Sequence, residues 1–369
     1  MRLLQKECGK CLRHPFLWIV CITFGLFQFL SIYTYVGNAG MRKELRQMHV
    51  AVTDEETASP EFERAYADYK KTYGGMYDTL DMRKILEQKE KMSGYEPQGV
   101  WGSWIVRNYD RLQKRVEQIR KTGEGTYAFY PGSWYKLHTT LYGKLWKKLI
   151  LQTAVLMILS MLYLMDYERI YKTQDLVLAT TTGKKMMEKK MLAGTLCGLF
   201  YAGLLTVFTL LVFFAAVPFQ NLWHVPVAAC MVAEPRLQMM YPFVTFWRLE
   251  QWRYFLLALV VLVGLLGIIA VVTAAVQLFL QNSYFSFAVL GLLFMGAYLL
   301  AYVQMGNVWD LIREFFNPTV LYATSGGWFM ENDLCLSFAG NEFAVLFCSG
   351  TAAVCLMAVG KRRYHRLEV

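Results

Sequence analysis

From Tyr254 to Trp309 the chain runs through 56 consecutive residues without one Lys, Arg, Asp, Glu or His. A helix crosses the hydrocarbon core of a bilayer in about 20 residues, so this run is long enough to cross twice. Such runs are rare outside bilayers, because a soluble helix needs a charged face toward water. Composition agrees: 18% of the 369 residues are charged and 56% are hydrophobic, against about a quarter charged in a soluble domain.

Six apolar spans follow from the hydrophobic pattern: Phe16–Val36, Leu149–Met165, Met191–Val217, Tyr254–Leu280, Tyr284–Val303 and Phe343–Val359. The second and last are short but within spanning length. The first ends in Tyr33, Tyr35 and Val36, with no small-residue cleavage site before Gly37, which favours a signal anchor over a cleaved leader. The pattern predicts an all-α integral membrane protein with six transmembrane helices and a helical extracytoplasmic domain between the first two.

Basic residues give the orientation, since cytoplasmic loops carry an excess of Lys and Arg. Arg2, Lys6, Lys10 and Arg13 precede the first span. Arg169, Lys172, Lys184, Lys185, Lys189 and Lys190 fill segment 166–190, and Lys361, Arg362, Arg363 and Arg366 follow the last span. These place both termini and segment 166–190 in the cytoplasm of a bacterial plasma-membrane protein. Segments 37–148, 218–253 and 304–342 then lie outside. Lys144, Lys147 and Lys148, just before the second span, run against this assignment, although long translocated domains largely escape the charge rule.

Residues 37–148 hold 20 Lys/Arg against 15 Asp/Glu, a soluble-looking balance. Ile105, Tyr109, Leu112, Val116 and Ile119 recur at steps of four and three, one stripe of a helix. Arg120 and Lys121 with Gly123 behind them form its stop. A second helical pattern runs from about Asp78 to Met92 and stops near Gly94. Ser59-Pro60 reads as a helix start and Gly74-Gly75 as a break. The Trp/Tyr-rich piece from Trp134 to Trp146 is expected along the outer bilayer interface.

The spans contain no Asp, Glu, Lys, Arg or His, only amides such as Gln28, Gln152 and Gln277, so autonomous proton coupling is not expected; sodium coupling through carbonyls and hydroxyls remains open. His14, His49, His138, His224 and His365 show no metal-ligand spacing, and no nucleophile elbow occurs. Gly183-Lys184-Lys185 lacks the upstream glycine and the Ser/Thr of a phosphate-binding loop. Cys8-x-x-Cys11 has no second pair at zinc-site distance. Cys230 and Cys335 fall in short outer loops where a disulfide could form, with free thiols the default. No catalytic, cofactor or metal residue and no nucleic-acid partner are expected, and energy for any uphill movement must come from a partner.

The stretch Asp166-Tyr167-Glu168-Arg169-Ile170-Tyr171-Lys172-Thr173-Gln174-Asp175-Leu176-Val177-Leu178, continuing to Gly183-Lys184-Lys185 and Lys189-Lys190, resembles the first cytoplasmic loop of ABC-2 type transporter permeases. Glu168, Thr173, Leu176, Gly183, Lys184 and Lys190 occupy matching places, whereas Lys172 stands where that family often has Gly. The layout of one span, an outer domain and five further spans is similar too, and Asn317-Pro318 resembles the family's re-entrant region within 304–342. The resemblance covers the whole chain in layout but only about 25 residues in motif. It implies a coupling helix docking on a cytoplasmic ABC ATPase, with Glu168 meeting a donor there and Lys172, four residues on, sharing its face. It also implies an interfacial elbow helix at 1–15 with Leu4, Cys8 and Cys11 on one side and Pro15 ending it. A second permease copy or paralogue would complete the pathway through the lipid bilayer.

The function this implies is the permease subunit of an ABC-2 type exporter moving an amphipathic substrate, whether peptide, lipid or drug. A non-transporting transmission or sensor subunit coupled to an ATPase is the alternative. A membrane-embedded enzyme lacks the catalytic groups it would need.

Overall fold

Long apolar runs separated by short polar breaks fold here as helices, because a helix satisfies every backbone N–H and C=O within its own segment. A computed structural model describes residues 2–37, 77–93, 99–124, 137–173, 183–217, 222–230, 243–303, 308–331 and 338–367. It also describes Pro60, Arg64, Ala67, Gly75 and Phe219 as isolated positions. The expected helix start at Ser59 and the Gly74 break fall outside the described residues, as does Cys335.

In chain order the helices are α1 (Arg2–Leu12), α2 (Pro15–Val36), α3 (Met82–Ser93), α4 (Gly99–Thr122) and α5 (Thr139–Met165). The one-turn α6 (Tyr167–Ile170) follows, then α7 (Gly183–Ala216), the short α8 (Val227–Cys230), α9 (Gln251–Leu280) and α10 (Ser283–Ala301). The last are α11 (Val308–Phe316), α12 (Thr319–Ala323) and α13 (Asn341–Leu367). Among the described residues, six helices are long and apolar enough to cross a membrane: α2, α5, α7, α9, α10 and α13. Their outward faces carry Leu211, Leu292 and Phe347, each about two-thirds exposed or more, a surface suited to lipid.

Local chemistry explains the breaks. Pro15 opens α2 rather than ending α1; its fixed φ and missing N–H cost nothing in a first turn. The charge-free run folds back on itself through Gln281, left-handed at φ 50°, and Asn282. The Asn282 side chain accepts hydrogen bonds from the backbone N–H of Tyr284 (3.0 Å) and Phe285 (3.2 Å), capping α10.

Helix α5 sits at the centre, packed against α2, α7, α9 and α10. Its closest neighbour is α7, which approaches through Gly194 and Gly198. A Cβ added to Gly194 would lie 3.1 Å from Met161 Cα, and one on Gly198 3.1 Å from Met157 Cα. Small residues four apart let two membrane helices touch backbone to backbone. Across the other side of α5, Gln28 Nε2 of α2 donates to Gln152 Oε1 at 2.7 Å in a fully buried pair.

The second span departs from its sequence expectation. It begins at Thr139, ten residues before Leu149, with a π turn over Thr139–Leu145 that runs straight into the α-helix. Leu141, Tyr142, Leu145 and Trp146 are all within 1% of full burial. The aromatic piece expected along a membrane interface is, in its described part, bundle core. Aromatic rings suit either place, and sequence alone does not separate them. Helix α7 likewise starts at Gly183, so much of the expected loop 166–190 is helix.

Helices α3 and α4 pack together, as the stripe requires: Ile105, Tyr109, Leu112, Val116 and Ile119 are all buried, facing Leu80, Met82 and Ile85. Gly123, at φ 65°, ends α4. At the Asn317-Pro318 break, Asn317 accepts from Thr319 N–H (3.1 Å) and hydroxyl (2.6 Å) and donates to Ala297 O (2.7 Å). Helix α11 lies along α13, where Ser349 donates to Phe315 O at 3.0 Å.

Candidate functional site

The turn that follows α5 carries a buried charge cluster at one end of the bundle. Helix α5 stops at Asp166, and α6 follows directly with Glu168 in its first turn. Glu168 is 5% exposed. One carboxylate oxygen accepts from Lys10 Nζ of α1 at 3.1 Å, and the other is ion-paired with Lys190 of α7. Lys10 also donates to Glu7 at 2.6 Å, itself 1% exposed, and lies 4.5 Å from the centre of the Tyr167 ring. Two acids and two bases thus close a neutral network. A buried charge is tolerable only when paired in this way.

The backbone is built to turn Glu168 inward. The Thr173 N–H donates back to Glu168 O at 2.8 Å, and the Thr173 hydroxyl reaches the same carbonyl at 3.4 Å. Between them Lys172 takes φ 55°, the left-handed conformation that glycine adopts without steric cost. That is the position at which the resembled family often carries Gly, so the departure is one of residue type and not of backbone shape.

One part of the sequence expectation is corrected. Lys172 is not on the same helix face as Glu168, because α6 ends at Ile170 and Lys172 lies in the turn beyond it. The Glu168 carboxylate, expected to meet a donor on a partner, is engaged inside the chain by Lys10 and Lys190. Thr173 shapes the turn and Lys190 is a partner of Glu168. Gly183 opens α7, followed by Lys184, whose side chain is outside the described residues, as is all of Leu176. Glu7 and Lys10 were not anticipated. The available signal was a lone acid three residues from a lysine in an otherwise basic segment, a helical pairing distance.

Around this network α1 is clamped to the bundle. Cys197 Sγ lies 3.8 Å from Cys8 O, Tyr201 OH donates to Cys11 O at 3.4 Å, and Trp18 Nε1 donates to Leu12 O at 2.8 Å. Leu4, Cys8 and Cys11 do face the core together. Burial, followed by the neighbouring Cys197, pushes the Cys8 thiol up to about 11, so it is protonated at neutral pH. No group of His, Cys, Asp or Glu among the described residues is arranged to hold a metal ion. The same end gathers Lys361 on Glu188 (3.1 Å) and the Ser283 N–H on Asp166 (3.4 Å).

The opposite end carries a second set of buried polar groups. Arg115 of α4 pairs with Glu124 at 2.5 Å and donates to the carbonyls of Thr245 and Trp247, both at 3.3 Å. Glu331 is ion-paired with Lys89 of α3 and accepts from Tyr109 OH of α4 at 3.3 Å. The Phe329 N–H donates to Glu342 at the start of α13 at 2.5 Å. His138 is wedged against Tyr142 and Tyr254, and burial pushes it down to about 4, neutral near pH 7. Helices α3 and α4 are therefore fastened to segment 243–247, which bridges to Met330 through Thr245, and by way of Phe329 to α13.

No protein-family model, curated protein or solved structure matches this chain.

Proposed function

We propose that the chain is the membrane subunit of an ABC-2 type exporter, working with a separate cytoplasmic ATPase and a second permease chain on an amphipathic substrate. The observation that carries this reading is the Glu168 network. It ties the turn after the second span to α1 and to the first turns of the third span. A partner pressing on the segment between Thr173 and Gly183 would therefore act on α5 and α7 together, which is what coupling to an ATPase requires. Lys10, Lys190 and Lys361, from the three basic segments, are collected at this one end, which favours its lying in the cytoplasm. Helices α3 and α4 are then extracytoplasmic, α1 is the elbow at the inner interface, and α11–α12 form the re-entrant element.

A second reading has its own support. The fastening of α3 and α4 to Glu331 and to the 243–247 segment would carry force between the outer helices and the spans, as a transmission subunit needs. The test begins with the purified chain, which alone should not hydrolyse ATP. Co-expressed with a candidate cytoplasmic ABC ATPase, a T181C variant on a cysteine-free background should cross-link to that ATPase, and vesicles holding both should move an amphipathic peptide or lipid on ATP addition. Hydrolysis by the lone chain, or a T181C probe labelled from outside intact cells, refutes the reading. Cross-linking with ATP turnover but no movement of any substrate favours force transmission.

A further inference from the structure

Lys144, Lys147 and Lys148 are the cations that the orientation argument leaves unexplained. They stand at the start of the second span, at the end of the bundle away from Glu168. None has a carboxylate partner among the described residues. Their neighbours are aromatic rings and neutral oxygens. Lys144 Nζ lies 5.2 Å and Lys148 Nζ 4.8 Å from the centre of one and the same ring, Tyr35 of α2. Lys148 also donates to Ser31 Oγ at 3.1 Å and lies 5.3 Å from the Phe27 ring. Lys147 points elsewhere, toward Tyr298, Tyr322 and the Ala323 carbonyl at 3.5 Å.

Phe27, Ser31 and Tyr35 are spaced four apart and form one stripe of α2. Lys144 and Lys148, also four apart, face that stripe from α5. Two like charges over one ring repel each other, and ring faces compensate them only in part. What the cleft lacks is an anion. We propose that it binds the phosphate of an anionic phospholipid, with Lys144, Lys148 and the Ser31 hydroxyl as donors.

A lipid fits better than free phosphate because apolar surface adjoins the donors. Phe27 is 50% exposed and Leu30 59% exposed on the outward side of α2, where acyl chains would lie below the headgroup. The site accounts for two of the three lysines at this end, Lys144 and Lys148, as ligands rather than topology signals. It does not depend on the transport reading.

The test uses the full chain reconstituted in phosphatidylcholine vesicles with trace spin-labelled phosphatidylglycerol or phosphatidylcholine. The motionally restricted fraction gives the relative association of each lipid. The wild type should prefer phosphatidylglycerol, and each lysine near an anionic headgroup contributes about fivefold. K144Q/K148Q should lose that preference by at least fivefold, K144R/K148R should keep it, and K147Q should leave most of it. If K144Q/K148Q does not fold, as read by thermal unfolding in detergent, K144Q alone carries the test, since Lys144 is exposed. An unchanged preference in K144Q/K148Q, or in K144Q where that variant carries the test, overturns the proposal. So does displacement of the label by millimolar inorganic phosphate but not by unlabelled phosphatidylglycerol, which would assign the cleft to a soluble anion.

Discussion

Replacing Glu168 by Ala is the most informative single change to this chain. The two lysines that it pairs are not equivalent. Lys10 keeps Glu7 at 2.6 Å and its side chain is 24% exposed, whereas the Lys190 side chain is 7% exposed and pairs with Glu168. Removing one partner of a buried pair costs about 3–5 kcal/mol, because the remaining charge is stranded. Most of that cost should arise at Lys190, and the share at Lys10 should be about 1 kcal/mol or less. A double-mutant cycle separates them, read by denaturant unfolding of the purified protein in mild detergent. E168A/K190M should recover most of the stability lost in E168A, and E168A/K10M should recover little. Equal recovery from the two, or an E168A variant within about 0.5 kcal/mol of wild type, would refute the burial argument. Loss of ATPase-dependent activity in E168A without loss of stability would show that the carboxylate acts on a partner rather than inside the chain.

Two further pairs of variants have expected outcomes. Gly198→Val should lower stability by about 1–3 kcal/mol, since its side chain must force α7 from the Met157 backbone; Gly203→Val, with nothing within 4 Å of its Cβ, should be close to neutral in the same thermal-unfolding assay. Lys172→Gly should be neutral to stabilising by up to about 1 kcal/mol, because relief of the left-handed strain outweighs the added freedom of the unfolded chain; Lys172→Pro, unable to reach φ 55°, should destabilise the turn.

Hydrophobic pattern and helix stops were legible because each depends on neighbours within a turn or two. The stripe Ile105–Ile119 and its Gly123 stop are found as the spacing predicts, and each of the six apolar spans corresponds to a helix. Residue pairs distant in the chain were not legible. The approach of Lys10 to Glu168 spans 158 positions, and nothing local to either residue signals it. The described part of the Trp134–Trp146 piece was misplaced for the same reason: Tyr142 packs on Tyr254 and Trp146 on Phe255, contributed from far along the chain. Gly194 and Gly198 were a readable signal, four apart in an apolar helix, which the span boundaries alone did not use. Lys172 shows the converse, since its backbone meets a requirement that its side chain conceals.

The glycine contact between α5 and α7 has a mechanical consequence. Two helices that touch backbone to backbone over Met157 and Met161 cannot slide past each other without losing that fit, so they move as a single beam. Helix α5, with 27 residues, makes this beam about 40 Å long. Under the proposed coupling, displacement of the charged turn at Glu168 would be carried along this beam and would emerge as tilt at Thr139, beside the wedge of His138, Tyr142 and Tyr254 where α9 begins.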